Sequence, residues 1–68
     1  MGALRVTLTD NSEVWIENYR GILEYTGERI LLQARTCQVC LEGSRLSIDY
    51  YTNEDMKISG NIVSLTYI

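Results

Sequence analysis

Apolar and polar residues alternate along nearly the whole chain. Leu4, Val6 and Leu8 share one parity, and Val14 and Ile16 resume it beyond the turn-rich "DNS". Leu23 and Tyr25 precede "GE", with Ile30 and Leu32 beyond it. Val39 and Leu41 precede "GS", with Leu46 and Ile48 following; Met56 and Ile58 precede "GN", with Val63 and Leu65 following. A period of two is that of a half-buried strand, and no 3.6-residue stripe persists, so helix content is expected to be close to nil.

Paired positions across a tight hairpin have a constant sum and share a face. A three-residue turn at Asp10–Ser12 sets Leu8 opposite Val14 and Val6 opposite Ile16. A Gly27-Glu28 turn sets Tyr25 opposite Ile30 and Leu23 opposite Leu32. Turns at Gly43-Ser44 and Gly60-Asn61 match Leu41 with Leu46, Val39 with Ile48, Ile58 with Val63 and Met56 with Leu65. A one-residue slip at any of these would send the apolar set to solvent. Arg35-Thr36 is expected to be a corner, "YTNED" (51–55) a polar loop, and Asn18–Gly21 a handover that bends at Gly21. The pattern predicts an all-β fold, an antiparallel meander of about eight short strands made of chained hairpins. Such a chain buries one face only by curling into a small roll, barrel or sandwich. No internal repeat of solenoid type is evident.

With 68 residues the chain is expected to form a single domain, 1–68. A domain of this size buries only about 60% of the surface its unfolded chain exposes, so a metal, a disulfide or a partner is the usual supplement. At 46% apolar and 22% charged, the composition is that of a globular protein. A net charge of −3 argues against non-specific nucleic-acid binding and against an anionic membrane surface. No apolar run approaches the roughly 18 residues that span a bilayer. The opening "MGALRVTLTD" lacks the regions of a signal peptide, which makes a cytoplasmic location and reduced thiols the expectation.

Candidate chemistry is thin. The chain has no His, the commonest general base and metal ligand. "CQVC" (37–40) has the spacing of a zinc knuckle or redox pair but lacks a second ligand pair. On a strand, Cys37 and Cys40 have opposite parity, so Cys37 is expected in the core and Cys40 outward. No metal or other cofactor is expected. Glu13 and Glu17 flank Trp15 on the outward parity, and Glu24 points outward from the next strand. Paired carboxylates serve glycosidases, but an acid catalyst needs a pocket that raises its pKa. No nucleophile elbow, phosphate loop or nucleophile–His pair is present. The expectation is a protein without enzymatic activity.

Outward aromatics are the stronger signal. Trp15, Tyr19 and Tyr51 lie on parities facing away from the apolar set, joined by Ile22, Leu31 and Ile62. Aromatics among charges suit a protein contact. Between them, "ENYRG" reads as a corner in which Asn18 bonds nearby backbone and Arg20 pairs with Glu17 or Glu24. Trp15, Glu17, Asn18, Tyr19, Arg20, Gly21 and Tyr51 are thus the candidate interaction residues. With no Pro, and Lys57 the only Lys, the sheet edges lack two common protections. Homo-oligomerisation by strand pairing is the natural expectation.

The stretch "VWIENYRGILEYTGERILLQ" (14–33), followed by "LEGSRLSIDYYTNEDMKISGNIVSLTYI" (41–68), resembles the YabP/YqfC family of sporulation proteins. The matching elements are Ile16-Glu17-Asn18 leading to Arg20-Gly21-Ile22-Leu23, then Leu41 to Ile48, then the closing Met56, Ile58, Gly60, Ile62, Leu65 and Tyr67. The resemblance implies a protein of endospore formers, made in the mother cell, not an enzyme, and working beside a membrane protein. It maps no catalytic residue. Members of the YqfC type usually carry a further segment before the first strand, whereas here Leu4 already lies in it.

The leading expectation is a sporulation assembly or adaptor module, with no nucleic acid and no small-molecule substrate as partner. The alternative is a small Sm-like or OB-like barrel binding single-stranded nucleic acid, on which Trp and Tyr would stack bases. An enzyme with Glu17 or Glu24 as acid comes third.

Overall fold

The computed structural model describes residues 3–68; Met1 and Gly2, which begin the expected domain, lie outside the described residues. Six strands form: β1 (Arg5–Thr9), β2 (Glu13–Glu17), β3 (Gly21–Tyr25), β4 (Arg29–Gln33), β5 (Gln38–Tyr51) and β6 (Asp55–Tyr67). They make one sheet in the order β1-β2-β6-β5-β4-β3, every neighbour antiparallel. The all-β antiparallel expectation holds. The strand count is six because two of the four expected turns are not turns.

The first two hairpins follow the alternation. Leu8 faces Val14 and Val6 faces Ile16 across Asp10–Ser12, and Tyr25 faces Ile30 across Gly27-Glu28. The second hairpin then departs from the expected register. Leu32 lies across from Ile22 because a bulge at Leu23 turns that side chain outward, leaving it 52% exposed.

Gly43-Ser44 and Gly60-Asn61 lie in the middle of β5 and β6, where Gly43 pairs with Ile62 and Ser44 with Asn61. The chain reverses instead at Thr52–Glu54, inside the expected polar loop, where the Thr52 hydroxyl accepts the Glu54 and Asp55 amides at 3.2 and 3.0 Å. A strand-interior glycine and a turn glycine punctuate an alternating sequence alike, which is how the two were confused. Both glycines are sterically required. A Cβ on Gly43 would overlap the Asn61 carbonyl oxygen, and one on Gly60 would meet the Arg45 carbonyl oxygen at 2.5 Å. Gly60 also has φ of +138°, and facing Arg45 sits at +56°. Register shifts cluster here, so the long β5–β6 hairpin bends at its midpoint.

The tips of the short hairpins seal the two bends. Glu28 and Gly27 carbonyls accept the Gly43 and Leu46 amides at 3.0 and 2.7 Å, while Ser12 and Asn11 carbonyls accept those of Gly60 and Ile62 at 3.1 and 2.8 Å. Exchanging β1 with β3, β2 with β4 and β5 with β6 leaves the strand order unchanged. The fold therefore has an internal pseudo-two-fold, centred where the long strands bend.

Bending folds one half of the sheet over the other. Val14, Ile16, Met56 and Ile58 come from one half and Ile30, Leu32, Val39 and Leu41 from the other, all with no exposed surface. Each such burial contributes about 1.5–3 kcal/mol. A flat single sheet would leave these residues wet, so the roll expected from the sequence is what the bend builds. Ile62, expected outward, is buried, only 5% exposed, because the extra residue Val63 bulges out between the Glu42–Ser64 and Gly43–Ile62 pairs. Cys37 and Cys40 depart from the expected burial, although Cys40 keeps its outward parity. Cys37 ends the Ala34–Cys37 turn and is half-buried, while Cys40, on the outer face, is covered by its neighbours and lies against Arg29.

We expect Gly43→Ala and Gly60→Ala each to lower stability by about 1–3 kcal/mol, the range for forced overpacking. Gly21→Ala and Gly27→Ala, where a Cβ meets nothing within 4 Å, should be close to neutral in the same urea titration.

Candidate interaction surface

A row of side chains crosses the outer face of the half-sheet formed by β2, β6 and the end of β5. Register sets Trp15 across from Lys57, and Lys57 across from Tyr50. The Trp15 and Tyr50 rings meet edge to face, centroids 5.7 Å apart and planes at 69°, an arrangement aromatic pairs favour. The Lys57 ammonium lies 5.7 Å from the Trp15 ring centre, within cation–π reach. Acids hold it from both sides, Glu13 at 3.5 Å and Asp49 at 3.7 Å. The Ser59 hydroxyl donates to Asp49 Oδ1 at 2.9 Å. The result is an aromatic strip with a neutralised centre, flanked by carboxylates.

The β2–β3 connection is organised differently. Asn18, with φ of +70°, makes the reversal expected at Gly21, and its short polar side chain suits that conformation. Its amide donates to the Glu54 carbonyl at 2.6 Å and its side-chain amide to the Ala3 carbonyl at 2.8 Å. Two residues on, the Arg20 amide reaches the Gln33 carbonyl on the opposite half at 2.7 Å. Between these anchors Tyr19 turns inward. It was expected at the surface but is 5% exposed, and its hydroxyl donates to the Thr52 carbonyl. Burial raises the Tyr19 phenol above its ordinary pKa, and nearby Tyr51 and Asp55 add to the shift.

Of the seven candidate residues, Trp15 belongs to the aromatic row, while Glu17, Asn18, Arg20 and Gly21 line the connection. Glu17 pairs with Arg5 at 3.7 Å and Glu24 with Arg29 at 3.7 Å, so the expected pairing of Arg20 with either acid is not made. Arg20 is exposed, and Gly21 simply begins β3. Tyr51 is 63% exposed and lies at the rim beside Tyr19, apart from the row. Sequence reasoning missed Tyr50, Lys57 and Asp49. Taking Asn53-Glu54 as the two-residue tip of a hairpin, with Thr52 paired to Asp55, would have set Tyr50 across from Lys57.

The carboxylates Glu13, Glu17 and Glu24 sit in surface ion pairs. A shallow recess elsewhere is lined by Ala3, Leu4, Ala34, Arg35, Thr36 and Cys37, with no acid in its wall. Among the described residues no three His, Cys, Asp or Glu side chains cluster as metal ligands, and no helix is long and apolar enough to cross a membrane.

Fold and surface define a small all-β protein, one sheet folded on itself around a dry core, with an aromatic strip outside. A model of the YabP family matches residues 2–68, and the chain belongs to that family. Membership fits a sporulation-related protein. No curated protein and no solved structure matches the chain.

The raised phenol makes stability pH-dependent in one direction. An unfolded tyrosine loses its proton near 10.0, while folded Tyr19 keeps it, so unfolding releases a proton and is favoured as pH rises. The protein should be insensitive to this group below pH 10.0 and lose stability above it. Tyr19→Phe should cost about 0.5–1.5 kcal/mol at neutral pH, the usual range for one hydrogen bond. It should also remove this group's part of the alkaline loss, as read from urea midpoints against pH.

Proposed function

We propose that this YabP-family chain is a non-enzymatic assembly or adaptor module of spore formation. It acts through its outer surface, associates with itself and works beside a membrane protein in the mother-cell cytoplasm. The observation that carries this reading is the Trp15–Lys57–Tyr50 row, which projects from the sheet on the face opposite the core. Large amphipathic rings held rigid by their neighbours are what protein contacts use at their centres. The carboxylates bear on the enzyme alternative: each candidate acid is spent on a surface ion pair, and none lines the recess. The acids flanking Trp15 likewise disfavour a nucleic-acid phosphate backbone beside that ring.

In an endospore-forming host, Trp15→Ala/Tyr50→Ala should lower the yield of heat-resistant spores while the purified variant keeps its β-sheet circular dichroism. Glu17→Gln and Glu24→Gln should leave the yield unchanged. The reverse pattern, with acids required and aromatics dispensable, would overturn the reading in favour of catalysis.

A further inference from the structure

Among the described residues one edge segment of the sheet is left both unpaired and unprotected, and its chemistry fits a second copy of itself. Gln38 and Ile68 exchange both amide bonds, at 3.0 and 2.8 Å. Antiparallel pairing alternates, so in this half of β6 the even-numbered residues bond β5, and Leu65 and Tyr67 turn their N–H and C=O groups away from it. Val63 continues that parity up to the bulge. On the other side, β2 covers only Asp55–Ser59 of β6, and the turn beyond it stops at Ile62. Among the described residues no strand except β2 and β5 comes within 8 Å of β6 by Cα separation.

The three other edge segments are each blunted. β1 is five residues long and carries Arg5, whose side chain is 75% exposed. β3 is equally short and broken by the Leu23 bulge. The end of β5 is the pseudo-two-fold counterpart of the open segment, and it is capped. The Tyr25 hydroxyl accepts the Ile48 amide at 3.0 Å, and the Gly27 carbonyl accepts that of Leu46. The position in the first hairpin equivalent to Tyr25 is Thr9, whose side chain is too short to reach Leu65 in the same way. Bulges, charges and caps are how sheets avoid edge pairing, and the open segment has none of them at Leu65 and Tyr67.

We infer that the segment Val63–Tyr67 of β6 pairs antiparallel with the same segment of a second copy, about a two-fold axis at Leu65. This rests on the assembly reading above and names its surface. No charged residue occurs from Ile58 to Ile68, so the arrangement sets no like charge against itself. Val63, Tyr67 and Ile68 are 75, 56 and 66% exposed and supply apolar area beside the new ladder. Self-pairing centred on Leu65 joins position 63 of one copy to position 67 of the other, and each hydrogen-bonded pair exchanges two amide bonds.

Charge swaps test this register. By native mass spectrometry and light scattering the wild-type chain should dimerise. Val63→Lys/Tyr67→Lys, at two exposed positions, should raise the dissociation constant by at least about tenfold, the effect of facing like charges. Val63→Lys/Tyr67→Glu should restore the dimer, because each Lys then faces a Glu. Hydrogen exchange on the unaltered protein gives a second readout, in which the Leu65 and Tyr67 amides slow with concentration and those of Val6 and Leu8 do not. A wild-type chain that stays monomeric at high concentration overturns the inference. So does a dimer indifferent to the first double substitution, or one that the second fails to restore. A dimer retained by another surface leaves the assembly role standing, which spore yield judges independently.

Discussion

The paired bend in the β5–β6 hairpin is the constraint on which the molecule depends. Two strands of fourteen and thirteen residues must turn together at one point, or the sheet remains flat and its core face wet. Backbones approach so closely there that no side chain fits at Gly43 or Gly60. Each bend also breaks ladder pairing, and the freed amides of Gly43, Leu46, Gly60 and Ile62 would be unsatisfied without the hairpin tips that accept them. The short hairpins are thus positioned by the bends they seal. Their apolar faces then meet across the interior, which explains how so short a chain reaches a dry core.

The pseudo-two-fold shows what function adds to this frame. Gly43-Ser44 through Tyr50 and Gly60-Asn61 through Tyr67 run as "GSRLSIDY" and "GNIVSLTY", each beginning at its bend. Features that stabilise the fold obey the symmetry: the bends, the sealing tips and the apolar positions before them. The features that break it lie on the surface. Trp15 has Leu31 as its counterpart and Lys57 has Cys40, so the aromatic row exists on one half only. Tyr25 caps one long-strand end, while Thr9 leaves the other open. Asymmetry imposed on a symmetric frame marks the positions whose residues are not explained by folding.

Much of this was legible in the alternation. Strand type, parity in β1, β2 and β4, the Asp10–Ser12 and Gly27-Glu28 turns and the Arg35-Thr36 corner all follow from a period of two interrupted by polar clusters. Bulges at Leu23 and Val63 were not legible, because one inserted residue leaves local composition unchanged while flipping everything beyond it. That flip misplaced Ile62. Tyr19 was misjudged for another reason: in a connection the parity rule lapses, and Asn18 in the left-handed region swings the next side chain inward. Trp15 was found because it lies in a regular strand. Its partners Tyr50 and Lys57 were missed because their adjacency depends on pairing β5 with β6, which the two misread glycines concealed. The "IEN.RGIL" resemblance, by contrast, needed no register, and it led to the family directly.

Stability and association converge on the same strand. Both long strands support the two halves of the core; β6 does so through Met56 and Ile58 in one and through Leu65 against Leu41 in the other. Its second half is held along one side alone, so opening it would expose Val39, Leu41 and Leu65 together. A strand added at Leu65 and Tyr67 would satisfy the outward amides and resist that opening. Binding to the folded form stabilises it by mass action, and the effect matters most where a small core leaves a narrow margin. On this view pairing at the edge left without protection would also stabilise the fold, so assembly and folding would reinforce each other.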